Sequence, residues 1–506
     1  MPAALVTLLV LLLSAPATCR AQPLRVSVYV TAGGVEKYLG SEESRRKVIE
    51  ILRPLKVSRL FLEGRRGDEY VPPERLRLIA ERLREQGFEV SGGIATVPGS
   101  QFGVRQNEGL NWLNFEAEKT RRDIAAFFRE NAPLFDQLIV DDFYCTADTS
   151  AASQQARAER SWADYRQDLL VSLVEPMMLT PARSARPGVR VILKYPQWYD
   201  RFHLFGYNPR RLSPFFDAIW VGTEVRNPET QRMGYVQPTQ GYINFRWIRA
   251  VAGEKVRGAW FDHIECTAQN FLDQAYQSVL AGARELTLFH LGDLMAGHPG
   301  DTLLAARLPD LEELAARVLG REPQGVAFYK PPGSDAEENM YLMDYAAMLG
   351  IPIVPVAEYP QRSRVAMLGV QAAADARLVE RVREHLRNGA TLVLTPALVR
   401  RVRALAEMAG VRATAEPQAA KVAVVHVGGG SVPLSVSLEV DVGLQAAGAT
   451  VLLSATGPGG RAPLLTRQGR LMVWNIRTFS EDDFRQTGEW LLPPKPLGWM
   501  RLPDPV

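Results

Sequence analysis

Cysteine is nearly missing from this chain of 506 residues: there are three, and none after Cys266. So few thiols exclude a disulfide-stapled scaffold, and they exclude a cysteine nucleophile anywhere beyond Cys266. Histidine is sparse as well, six residues with no pair at ligand spacing, so no zinc motif and no transition-metal site are expected. Past the N-terminal segment no apolar run approaches the roughly 20 residues that span a bilayer. Basic blocks are also lacking. The 59 Lys and Arg nearly balance 56 Asp and Glu, for a net charge of +3, and the arginines are spread along helix-like stretches such as "RRVRALAEMAG". Nucleic acid is therefore not an expected partner.

What is present suits folding. Hydrophobic residues make up 46% and charged residues 23% of a length that points to two or three domains. The start, "MPAALVTLLVLLLSAPATCRAQP", reads as an export signal over residues 1–21. An apolar core from Ala3 to Leu13 is followed by small residues, with cleavage after Ala17 or Ala21, although no Lys or Arg precedes the core. A secreted or periplasmic protein is expected, without a membrane span in the mature chain. Cys145 and Cys266 remain after cleavage, either as a disulfide or as two separate thiols.

Eight β-rich runs fall before residue 300: "LRVSVYVTA", "VSRLFLEG", "FEVSGGIATV", "FDQLIVDDF", "VRVILKYPQWYD", "FDAIWVGTEVR", "VRGAWFDHIE" and "ELTLFHLGD". Most are separated by amphipathic, helix-like segments. Apolar strands joined by such helices indicate a parallel sheet, and eight units predict a (β/α)8 TIM barrel over 22–318. A doubly wound sheet is the competing arrangement.

In a barrel the chemistry lies at the C-terminal strand ends. The stretch "QLIVDDFYCT" ends a buried-looking strand in two adjacent carboxylates, Asp141 and Asp142, which cost desolvation and mutual repulsion. Other strand ends supply Glu63, Lys194, Tyr195, Trp198, Glu224, Arg226, Trp260, Asp262, His263, His290 and Asp293. Carboxyls with Trp and Tyr faces suit carbohydrate: rings cover the apolar side of a sugar while carboxylates, Lys and Arg take its hydroxyls. Glycoside hydrolysis needs one protonated and one ionised carboxyl. Asp142 or Asp141 is the candidate ionised member, Glu224 the candidate acid through partial burial, and Asp262 the rival partner. The remaining strand-end residues are candidate substrate contacts. Each feature also has a plainer reading. The Asp pair can cap a turn, Glu224 and Arg226 can simply pair, Asp262 can cap a helix, and Trp198, Trp220 and Trp260 can be core. No resident metal or cofactor is expected, with a hard cation on Asp141, Asp142 and Asp293 the one open alternative.

From residue 322 the pattern restarts. "GVAFYKP", "GIPIVPVAEYP", "RVAMLGV" and "ATLVLTP" alternate with the helices "AEENMYLMDYAAMLG", "DARLVERVREHLRNG" and "ALVRRVRALAEMAGV". This predicts a flavodoxin-like three-layer α/β domain over 322–506, closing with β-rich pieces and a helix, "SEDDFRQTGEWLL". Gly428–Gly430 and "GPGG" from Gly457 lack the strand-then-helix context of a phosphate loop.

A barrel followed by a Cys-less, amidotransferase-like α/β domain resembles the layout of the family 42 β-galactosidases and related glycoside hydrolases. The resemblance implies a carbohydrate substrate and a homo-oligomer built through the second domain. Where that family carries Asn-Glu at strand four, this chain has Asp141-Asp142. A strand-four Asp with a strand-six acid is similar to α-galactosidase-type barrels, which implies Asp142 or Asp141 as nucleophile and Glu224 as acid. The expected function is an exported glycoside hydrolase. The alternatives are a glycan-binding scaffold and a cation-assisted sugar isomerase or lyase.

Overall fold

The structure, a computed structural model, describes residues 24–227, 238–475 and 478–479. The export segment and the helix expected over "SEDDFRQTGEWLL" lie outside the described residues. Among the described residues no helix is long and apolar enough to cross a membrane.

Eight parallel strands close on themselves: β1 (Arg25–Val30), β2 (Val57–Arg66), β3 (Glu89–Ala95), β4 (Gln137–Val140), β5 (Arg190–Tyr195), β6 (Ala218–Gly222), β7 (Val256–Asp262) and β8 (Glu285–Phe289). Each pairs with the next, and β8 returns to β1 with Tyr29 opposite Phe289. All eight runs read from the sequence are barrel strands. Their near-continuous apolarity has a physical cause, since both faces are buried. Outward residues such as Val28, Leu60, Leu138, Leu193 and Leu288 pack under the helices. Inward residues Tyr29, Phe61, Ile139, Ile192, Trp220 and Trp260 fill the barrel as a separate cluster.

Local chemistry sets the helix ends. Ser41 and Thr267 form capping boxes with Ser44 and Asn270 and start the helices Glu42–Leu52 and Ala268–Leu280. The segment read as one helix through "RSWADYRQDLLVSLVEPMML" breaks into a π-helical turn over Glu175–Leu179, where Pro176 has no N–H for the ladder.

The second unit is a mixed sheet. Five parallel strands, β9 (Val326–Tyr329), β10 (Ile353–Val356), β11 (Val365–Leu368), β12 (Thr391–Leu394) and β17 (Leu471–Trp474), lie in the order β10-β9-β11-β12-β17. That is the flavodoxin-like order. Between β12 and β17 the chain makes antiparallel ribbons instead of a further β/α unit: β13 (Ala419–Val427), β14 (Gly430–Asp441), β15 (Thr450–Gly457) and β16 (Gly460–Gln468). Val427 pairs with Gly430 across Gly428 and Gly429, both with positive φ, so this glycine run is a two-residue hairpin turn. The "GPGG" segment also joins two antiparallel strands, turning β15 into β16 through Pro458 and Gly459 with Gly457 opposite Gly460.

The second unit seats on the loop that follows β5. Lys330 Nζ pairs with Asp200 Oδ1 at 3.0 Å, both 1% exposed, and Tyr341 N–H donates to Asp200 Oδ2 at 2.6 Å. Tyr199 donates its hydroxyl to Asp344.

Candidate active site

The doubled Asp resolves into two different jobs. Asp141 turns toward β2 and accepts from Arg66 Nη2 at 2.7 Å, while Asp142 turns toward β5 and accepts from Lys194. Adjacent side chains diverge, yet here both stay in the mouth, because the strand ends at Val140 and the chain is no longer pleated.

Arg66 was not among the residues read from the sequence, which ended strand two at Gly64. The structure extends β2 to Arg66 and shifts its register against β3 between Glu63 and Arg65. The bulge puts Glu63 and Arg66, three residues apart, on one face. Arg66 grips Glu63 with two hydrogen bonds of 2.9 and 3.0 Å. Glu63, fully buried, also accepts from Tyr29 Oη at 2.6 Å and from Ala32 N–H at 2.8 Å.

At the centre, Lys194 is 2% exposed in its side chain and bonds Asp142 and Glu224, the latter at 3.0 Å, with Asp141 Oδ1 at 3.9 Å. Its ammonium stands 5.1 Å from the centre of the Trp260 ring, which stacks on Phe289 beneath it in the barrel interior. Glu224 Oε2 is buried without a hydrogen-bond partner. A Cβ on Gly222 would lie 2.4 Å from that oxygen, so glycine at the end of β6 makes room for the carboxylate. Arg226 pairs with Asp262, which also accepts from Ile264 N–H at 3.0 Å.

Among the described residues, Glu63, Asp141, Asp142, Glu224 and Asp262 share only Arg66, Lys194 and Arg226, so carboxylates outnumber cations in a buried space. Such a cluster retains protons. Burial pushes Asp142 up to about 7, helped by Asp141 and Glu224 and opposed by Lys194. Burial likewise raises Asp262 to about 6 against the pull of Arg226.

The other expected contacts divide. His290 and Asp293 stand at the rim with side chains 28% and 33% exposed. His263 is buried, bonds Asp301 at 2.6 Å and faces Asp293 Oδ2 at 3.8 Å. Tyr195 is not brought to this cluster. It points outward from β5, and its hydroxyl meets Ser213 at 3.1 Å. Trp198 packs among Trp112, Phe202, Phe205 and Tyr207. Cys145 and Cys266 are both free thiols. Among the described residues no group of His, Cys, Asp and Glu has the geometry to hold a metal ion.

A closed parallel barrel with ionisable groups gathered at the C-terminal strand ends is the architecture of (β/α)8 enzymes. The chain belongs to the family described as probable glycosyl hydrolase, catalytic domain, whose model matches residues 14–302, more than half of the protein. Residues 322–427 match the model of the second domain of the uncharacterized protein SSO3021. That protein, from Saccharolobus solfataricus, is 26% identical over 363 residues, covering 65% of this chain, and the match spans 59% of its own length. Solved structures with a similar fold include a catalytic mutant of Gan42B, a GH42 β-galactosidase from G. stearothermophilus, at TM-score 0.62 and 13% identity, covering 93% of this chain and 87% of that one. Another is α-L-fucosidase isoenzyme 2 from Paenibacillus thiaminolyticus, at TM-score 0.66 and 13% identity, covering 93% and 82%.

Proposed function

We propose that the protein is a glycoside hydrolase cleaving an oligosaccharide or glycan fragment, with Asp142 and Glu224 as its working carboxyls. One observation carries this: a single buried ammonium, Lys194, bonds both of them from neighbouring strands. Two hydrogen bonds of about 3 Å bound the gap between the bonded oxygens to about 6 Å. Retaining glycosidases hold their carboxyls about 5–5.5 Å apart and inverting ones about 6.5–9.5 Å, and a shared ammonium suits the closer, retaining arrangement as the working reading.

Asp142, raised to about 7 and 18% exposed in its side chain, suits the proton donor. Glu224, with one oxygen unpartnered, suits attack. In the first step Glu224 bonds to the anomeric carbon, the glycosidic C–O bond breaks, and the leaving oxygen takes the Asp142 proton. Water, deprotonated by Asp142, then releases the sugar from Glu224. These proposed roles reverse those expected from the sequence, and the raised proton affinity of Asp142 is the reason for the reversal. Asp262 is the rival partner, drawn toward Arg226.

The test is a product screen on mixed oligosaccharides with Asp142→Asn and Glu224→Gln alongside. Turnover by the wild type, lost in both folded variants, is expected, and NMR of the first-formed anomer should show retention. A fully active Glu224→Gln with a dead Asp262→Asn would move the partner role to Asp262. Export, motivated by the apolar Ala3–Leu13 segment, is part of the same proposal. Cell fractionation checks it, and an uncleaved chain held in the cytoplasm would sink it.

A further inference from the structure

The opposite end of the barrel carries charge that the catalytic mouth does not use. All eight strands contribute to a cavity of about 270 Å³ at their N-terminal ends, backed by Ile192 and Trp220. Its lining holds Arg25, Arg59, Arg190, Arg257 and Arg284 against Glu89, Glu285 and Asp217. Barrel enzymes do not place their chemistry at this face, where packing and stability dominate. Arginines gathered there repel one another unless something offsets them.

Part of this charge is internally matched. Arg25 meets Glu89 at 2.6 Å, and Arg59 meets Glu285 at 3.2 Å and Glu89 as well. Arg284 is taken by Glu254 at 2.5 Å, and Asp217 by Arg183 at 3.4 Å. Arg190 donates to the Gln137 side-chain oxygen, 2.8 Å from Nη2. Among the described residues, Arg190 and Arg257 meet no carboxylate. Arg59 is 5% exposed, and its Nε, a buried donor, has no hydrogen-bond partner.

We propose that this cavity binds a phosphate group, free or as the end of a small ester, with Arg59, Arg190 and Arg257 as its donors. Two uncompensated guanidinium charges match a dianion. Their forked N–H groups match its oxygens, and the low-dielectric barrel wall strengthens the contact. The spare Arg59 Nε gives the third, buried donor. The site is independent of the hydrolase assignment and lies at the other end of the strands.

The experiment is thermal unfolding of the purified protein titrated with sodium phosphate or glucose 6-phosphate, against sodium chloride at matched ionic strength. The wild type and an Arg190→Gln/Arg257→Gln variant are compared; both positions are exposed, so the variant should fold. A saturable rise in Tm beyond chloride, with affinity at least about tenfold weaker in the variant, is expected for two lost charge-assisted contacts. A response to inorganic phosphate alone assigns the free ion, and a response to the ester assigns the ester's phosphate. No shift beyond chloride, or an equal shift in the variant, overturns the proposal.

Discussion

Lys194 donates to Glu224 Oε1 at 3.0 Å from the adjacent barrel strand, with both side chains 5% exposed or less. A buried ammonium between carboxylates from its two neighbouring strands makes β4, β5 and β6 one electrostatic unit. Removing one partner of such a group leaves the others uncompensated.

Lys194→Met is therefore expected to lower kcat by about a hundredfold or more and to lower stability by about 3–5 kcal/mol. The ammonium pulls Asp142 down, so its loss should move the Asp142-dependent limb of the pH–rate profile to higher pH. Urea unfolding and a pH profile check both effects. An unmoved limb would remove Asp142 from that limb.

The pH dependence of the wild type follows from the same carboxyl. A proton donor with its value near 7 is competent below that pH, so turnover should fall as pH rises through about 7. Asp142→Glu should shift the limb, whereas Asp142→Asn should abolish turnover. An alkaline limb that sits unchanged in Asp142→Glu belongs to another group.

Stability should respond with the opposite sign to that of an ordinary salt-bridged acid. Asp142 and Asp262 are raised in the folded state, to about 7 and about 6, so between about 4 and 7 the folded chain binds more protons than the unfolded chain. Their contribution is greatest below the unfolded value and is lost as pH rises through the folded values. Denaturation midpoints measured from pH 4.5 to 7.5 should show this slope flattened in an Asp142→Asn/Asp262→Asn variant.

Gly222→Ala isolates the position of Glu224. The new Cβ would sit 2.4 Å from Glu224 Oε2 and 3.1 Å from the Gln197 backbone N, so the carboxylate must move. A displacement of about 1 Å can cost on the order of a hundredfold in rate. Reduced kcat with a nearly wild-type unfolding midpoint is expected, and unchanged kcat would count against Glu224 as the attacking group.

The seat of the second unit should be as sensitive as the mouth. Lys330→Met leaves Asp200 buried and unpaired at the loop beyond β5, at a cost of about 3–5 kcal/mol. Restoring much of that loss with Asp200→Asn in the same chain would show that the cost lies in the orphaned charge. Differential scanning calorimetry of the two variants distinguishes this from lost packing.

Much of this was legible along the chain. Eight apolar runs with helices between them determined the barrel, because a strand buried on both faces leaves a continuous hydrophobic signature. Strand-end reading picked out Asp141, Asp142, Lys194, Glu224 and Asp262, and the structure gathers these side chains at the C-terminal ends of the strands. Glycine runs without a following helix were read as something other than phosphate loops, and they are hairpin turns.

Only the tertiary structure decided how those groups pair. Arg66 enters the site through a bulge at Gly64, and an inserted residue in a ladder leaves no mark in a hydrophobic pattern. Tyr195 and Lys194 are neighbours in sequence, but the strand pleat sends one outward and the other into the mouth. The antiparallel ribbons between β12 and β17 depend on strand order, which is a long-range property. Which carboxyl holds a proton most tightly has the same origin: protonation is set by how many charges converge in three dimensions and how much water they lose, and neither quantity is written in the order of the residues.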